Sequence, residues 1–149
     1  MHEFTLCIPF PCSSDELIPF MLEKGLTAAV PHEHSLWFSG EPYEFWYNVQ
    51  PPNGEIVQAF REHYPLTQVE SECIGAHRSL LFLRGLFKNV EHFRTVNRVI
   101  YKILQVVRTG IYLDHCGCAY PADSWLAEAA DANLEGWINW IYTRGSLWT

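Results

Sequence analysis

Apolar positions along this chain follow two rhythms, a short one near its start and a longer one in its second half. EFTLCIPF (3–10) is an apolar run closed by Pro9 and Pro11, which predicts a first strand. Ser13 or Ser14 then caps a helix whose first turn carries Asp15 and Glu16, where the helix dipole favours anions. Leu17, Phe20, Met21 and Leu22 give that helix its apolar stripe, and Gly25 ends it. LTAAV (26–30) and SLWFSG (35–40) are expected as short strands around a polar turn at 31–34. YEFWYNV (43–49) alternates loosely in strand-forming residues and predicts a further strand. Pro51-Pro52-Asn53-Gly54 breaks the chain there.

A helix is predicted over EIVQAFREHY (55–64), with Ile56, Val57, Phe60 and Tyr64 on one side and Pro65 at its end. HRSLLFLRG (77–85) has the continuous apolar centre of a strand covered on both faces. From Asn89 to Arg108, Phe93, Val96, Ile100, Ile103, Leu104 and Val107 recur at helical spacing, and Gly110 is placed at the cap. IYLD (111–114) reads as a short strand. DHCGCAYPADSW is then a strand end, a turn at Gly117 and a helix opened by Pro121-Ala122-Asp123-Ser124. A last helix is predicted over 134–142 on Leu134, Trp137, Ile138 and Ile141. Mixed strands and helices without repeat or linker predict one α+β domain over residues 1–149. Its expected centre is a mainly antiparallel sheet packed by amphipathic helices.

Charge changes the picture next. The net charge of −7 makes the chain a poor ligand for nucleic-acid phosphates, so no nucleic-acid partner is expected. Seven Lys and Arg between Arg78 and Arg108 face only Glu91, so that stretch carries +6 and the remainder −13. No apolar run is long enough to cross a membrane, and the N-terminus lacks the basic start of a secretory signal. Five cysteines without paired spacing read as reduced thiols of a cytoplasmic protein.

Asp114, His115, Cys116 and Cys118 are the densest candidate chemistry. Neither Cys7-x4-Cys12, His32-x-His34 nor Cys116-x-Cys118 has the spacing of a zinc knuckle, so no metal and no cofactor is expected. A nucleophile at Cys116 or Cys118 needs a base, and successive strand residues point to opposite faces, which turns His115 away from Cys116. His77 or His92 would have to supply that base through the fold. Arg94, Arg98 and Lys102 form a basic stripe at i, i+4, i+8 that suits an anion or an acidic partner and also suits a solvated helix face. Aromatics crowd residues 37–47, and adjacent pairs such as Trp46 and Tyr47 cannot both point inward from a sheet with one covered face. Surplus Trp and Tyr beside Glu41 and Glu44 suit a protein contact.

HRSLLFLRG, VEHFRTVNRVIYKILQVV and GIYLD followed by CGCAYPADSWL, about residues 77–130, resemble the bacterial domain-of-unknown-function 4261 family. The resemblance implies an α+β fold and carries no catalytic residues. In size, acidity and aromatic content the chain is also similar to cytosolic immunity proteins that neutralise secreted bacterial toxins. The expected function is therefore non-enzymatic binding of another protein, a toxin in its specific form, through Glu41, Glu44, Trp46 and Tyr47. A cysteine-dependent enzyme using Cys116 or Cys118 and an anion binder using Arg94, Arg98 and Lys102 are the alternatives, and self-association is left open.

Overall fold

The computed structural model describes residues 2–114 and 117–128. The helix predicted at 134–142, with Trp137, Trp140 and Trp148, lies outside the described residues, as do His115 and Cys116. The described chain is a single α+β domain built on a six-stranded sheet of order β2-β3-β4-β1-β5-β6, antiparallel at every pairing. The strands are β1 (His2–Phe10), β2 (Ser35–Trp37), β3 (Glu44–Gln50), β4 (Ser79–Phe87), β5 (Gly110–Leu113) and β6 (Cys118–Pro121). The helices are α1 (Leu17–Glu23), α2 (Glu55–Arg61), α3 (Gln68–Gly75), α4 (Val90–Val107) and α5 (Ala122–Glu128).

One face of the sheet carries the main core. Alternation along β1 sends Phe4, Leu6, Ile8 and Phe10 to that face, where they meet Leu81, Leu83 and Phe87 of β4 and the apolar stripe of α4. Removing these side chains from water is the main stabilising term, about 25 cal/mol per Å2 of apolar surface. Asn89 caps α4 by accepting from the His92 N–H at 3.0 Å. On the opposite face, Phe60 of α2 and Ile74 of α3 pack against Ala119 and Tyr112 of β6 and β5. These two helices pack at the β5–β6 side of the sheet.

Several expectations are corrected. LTAAV forms no strand, because Leu26 is used by the end of α1: its N–H bonds the Met21 carbonyl while Gly25 bonds Leu22. Gly110 does not cap α4; Arg108 takes the left-handed turn, at φ 63°. Gly110 instead begins β5, where a Cβ would fall 2.6 Å from the Phe60 ring and 2.7 Å from the Tyr120 carbonyl oxygen. The glycine turn at 117 leads not into a helix cap but into strand β6, which closes a hairpin with β5 before α5 begins. The helix α3 was not foreseen. It is opened by a capping box in which Thr67 and Glu70 each bond the other's backbone N–H.

Candidate functional site

The outer face of β2, β3, the Arg84–Leu86 end of β4 and the start of β1 lies open. Strand alternation decides what it displays. On β3, Phe45 goes to the core while Glu44, Trp46, Asn48 and Gln50 face outward. The register sets Ser35, Trp46, Arg84 and Thr5 side by side across four strands, and next to that row pairs Trp37 with Glu44 and Leu86 with Glu3. Trp37 is 52% exposed, Trp46 54% and Leu86 37%. Two half-exposed tryptophans on one face mark it out, since single exposed apolar residues are ordinary but large aromatics grouped together are not.

Trp46 is the centre of this surface. The Arg84 guanidinium lies 4.9 Å from the indole centroid on the β4 side, and His34 stacks at 6.1 Å with an interplanar angle of 11° from the β2 side. The negative face of the indole attracts the Arg84 cation at this distance, a cation–π contact. Two open clefts flank the Trp46–Arg84 ridge. One, of about 520 Å3, is walled by Glu3, Tyr43, Glu44, Leu86, Lys88 and His92; the other, of about 350 Å3, by Thr5, His34, Asn48, Gln50 and Phe82.

The larger cleft exists because β3 and β4 part company above Trp46 and Arg84. Tyr43 fills the fork: its hydroxyl donates to the Leu86 carbonyl at 2.7 Å and accepts from the Leu86 N–H at 2.9 Å. One phenol thus satisfies both backbone groups that a continuing strand would have bonded. Burial pushes the Tyr43 pKa up, with the Leu86 bond opposing. Gly85 makes room, since a Cβ there would lie 2.9 Å from the Phe4 ring and would overlap the Tyr43 oxygen.

The structure separates the residues expected to bind a partner. Glu44 and Trp46 share the open face, whereas Tyr47 turns to the opposite side and packs against the core. Glu41 is elsewhere: its carboxylate, 5% exposed, lies 3.1 Å from Arg98 and 2.9 Å from Lys102. Burial alone would raise the Glu41 pKa, but the hydrogen bonds and charges of Arg98 and Lys102 reverse this and hold it below the usual carboxylate range. The basic stripe therefore meets acids of its own chain, Arg94 pairing with Glu91. An anion arriving there has to compete with Glu41.

Cys118 is fully buried in β6. Cys7 is likewise enclosed, and burial together with the Asp114 charge pushes its thiol up to about 12. His77 is committed to structure: its Nε2 accepts from the Asn53 N–H at 3.0 Å and its Nδ1 lies 2.6 Å from the Ile74 carbonyl oxygen. The His92 Nδ1 accepts from the Lys88 N–H at 3.2 Å. Neither histidine bonds a described cysteine. Among the described residues no three His, Cys, Asp or Glu gather as metal ligands, and no helix is long and apolar enough to cross a membrane.

Sequence reasoning missed Arg84, Lys88, Glu3 and His34 as parts of the face. Period-two alternation in LLFLRGLF was the available signal, hidden by the apolar residues on both sides of a central strand. Comparison with protein-family models, curated proteins and solved structures yields no match to this chain.

Proposed function

We propose that this chain is a non-catalytic binding protein that engages another protein through the open face of β2, β3, β4 and β1, with Trp46 and Trp37 as anchors. The observation that carries the reading is the pair of half-exposed indoles on one face, bordered by Glu44, Glu3, Arg84 and Lys88. Aromatic centres with polar rims are the usual anatomy of a protein contact. Covering the exposed part of Trp46, on the order of 130 Å2, contributes about 3 kcal/mol. Burial of Cys118 and the structural bonds of His77 weigh against the cysteine-enzyme alternative.

In its specific form the partner is a bacterial toxin met in the cytoplasm, whose active site the Trp46 ridge covers while Glu44 meets basic groups there. Support for that form is the aromatic surface joined to an acidic chain of −7. Calorimetric titration of the purified chain with the product of an adjacent toxin-like gene tests it. Trp46→Ala should weaken the complex at least tenfold with circular dichroism unchanged. Unaltered affinity of that variant for a toxin the parent chain binds would refute the assignment of the face.

A further inference from the structure

We infer that a second copy of this chain packs on the same open face, forming a two-fold dimer in which Arg84 of each copy sits between Glu3 and Glu44 of the other. The inference rests on reading this face as a protein-binding surface, and it names an occupant that a foreign partner would have to displace.

The argument begins with charge. Among the described residues Arg78, Arg94, Arg98, Lys102 and Arg108 each pair with a carboxylate of the same chain. Among the described residues, Arg84 and Lys88 have no carboxylate within 4.0 Å, and Glu3 and Glu44 have no cation within that distance, although all four line one cleft. A chain of −7 repels its own copies over most of its surface. This face balances two acids with two bases, so two copies can meet here without that penalty.

Register then supplies complementarity. Glu44 and Glu3 lie in one cross-strand row, on β3 and β1, and Arg84 lies in the next row, on β4 between them. Rows on one face of a strand are two residues, about 7 Å, apart. A two-fold axis lying between these rows, parallel to them and midway between two stacked sheets, exchanges the rows. Arg84 of one copy then stands over Leu86 of the other, flanked by Glu44 and Glu3, and the contact occurs twice, as an isologous interface requires. The same operation lays each Trp46 over the acidic row of the mate, beside Trp37. Aligned sheets stack about 10 Å apart, a gap that side chains of this size fill. Arg84 already rests against Trp46 in a cation–π contact, which lowers the side-chain freedom lost in making the pair.

Sedimentation velocity on the parent chain, from about 1 to about 100 μM as suits a standard-sized interface, should show a species of twice the 17.3 kDa chain mass growing with concentration. Arg84→Glu leaves Lys88 as the one cation on a predominantly acidic face, and Glu44→Arg makes the face predominantly basic. Each variant alone should dissociate at least tenfold more readily than the parent, and an equimolar mixture should re-form a heterodimer. That mixture guards against misfolding, because unfolded variants do not rescue one another. A parent chain that stays monomeric across the range overturns the dimer. So does a dimer indifferent to both reversals, or a mixture that stays monomeric. A monomeric parent that still binds a toxin through Trp46 leaves the binding reading standing. A dimer sensitive to the reversals beside a toxin complex indifferent to Trp46→Ala separates the two the other way.

Discussion

Tyr43→Phe removes a single oxygen and leaves the ring in place, so its effect reads the fork between β3 and β4 directly. The lost hydroxyl serves the Leu86 N–H and carbonyl together. A backbone group stripped of its partner costs about 1–3 kcal/mol when fully buried. Leu86 is 37% exposed and borders the larger cleft, so water recovers part of this. A total near 2 kcal/mol follows, about 4–8 °C of melting temperature for a chain of this size. Urea unfolding should show a lower midpoint with an unchanged slope, since the surface exposed on unfolding is the same. Amide hydrogen exchange should place the change at Leu86, the residue whose N–H loses its acceptor. Gly85→Ala should deprotect the same amide by driving the phenol aside, and the two changes combined should cost less than their sum. A destabilisation below about 0.5 kcal/mol, or unaltered exchange at Leu86, would refute the reasoning.

Glu41→Gln should cost about 1–2 kcal/mol at neutral pH, because Arg98 and Lys102 keep their positions without the charge between them and are partly screened by water. A folded pKa below the unfolded one adds stability that is complete above the ordinary carboxylate range and is lost as pH falls through the lowered value. The gap between parent and variant should therefore close in acid, and a gap independent of pH refutes this account. Thiol labelling of the native chain in a Cys116→Ser background should modify the partly exposed Cys12 and Cys73 first and reach Cys7 and Cys118 only after denaturation. Rapid native labelling of Cys118 would reverse the case against catalysis.

What the sequence disclosed depended on whether a signal was local. The stripe of α4 repeats over 18 residues, and its two ends were read within a residue of where they lie. Opposite facings of Trp46 and Tyr47 follow from strand geometry alone. The helix α3 spans only eight residues with a weak apolar stripe, although its Thr67-x-x-Glu70 cap was written in the chain. The β5–β6 hairpin was obscured by a segment whose cysteines and acid drew a chemical reading. The fate of Glu41 could not be read locally, since its cations stand 57 and 61 residues away. Arg84 was hidden for a different reason: one apolar run served both a covered and an uncovered face.

The position of β1 in the sheet has a kinetic consequence. β1 is an interior strand, flanked by β4 and β5, so its edges find these partners only after residues 79–87 and 110–113 have been synthesised. Loop closure over such separations is slow compared with local pairing. During that interval TLCIPF is an apolar strand with both edges bare, suited to pairing with other nascent chains. Holding that strand apart until β4 emerges is therefore a step at which the topology exposes this chain to aggregation.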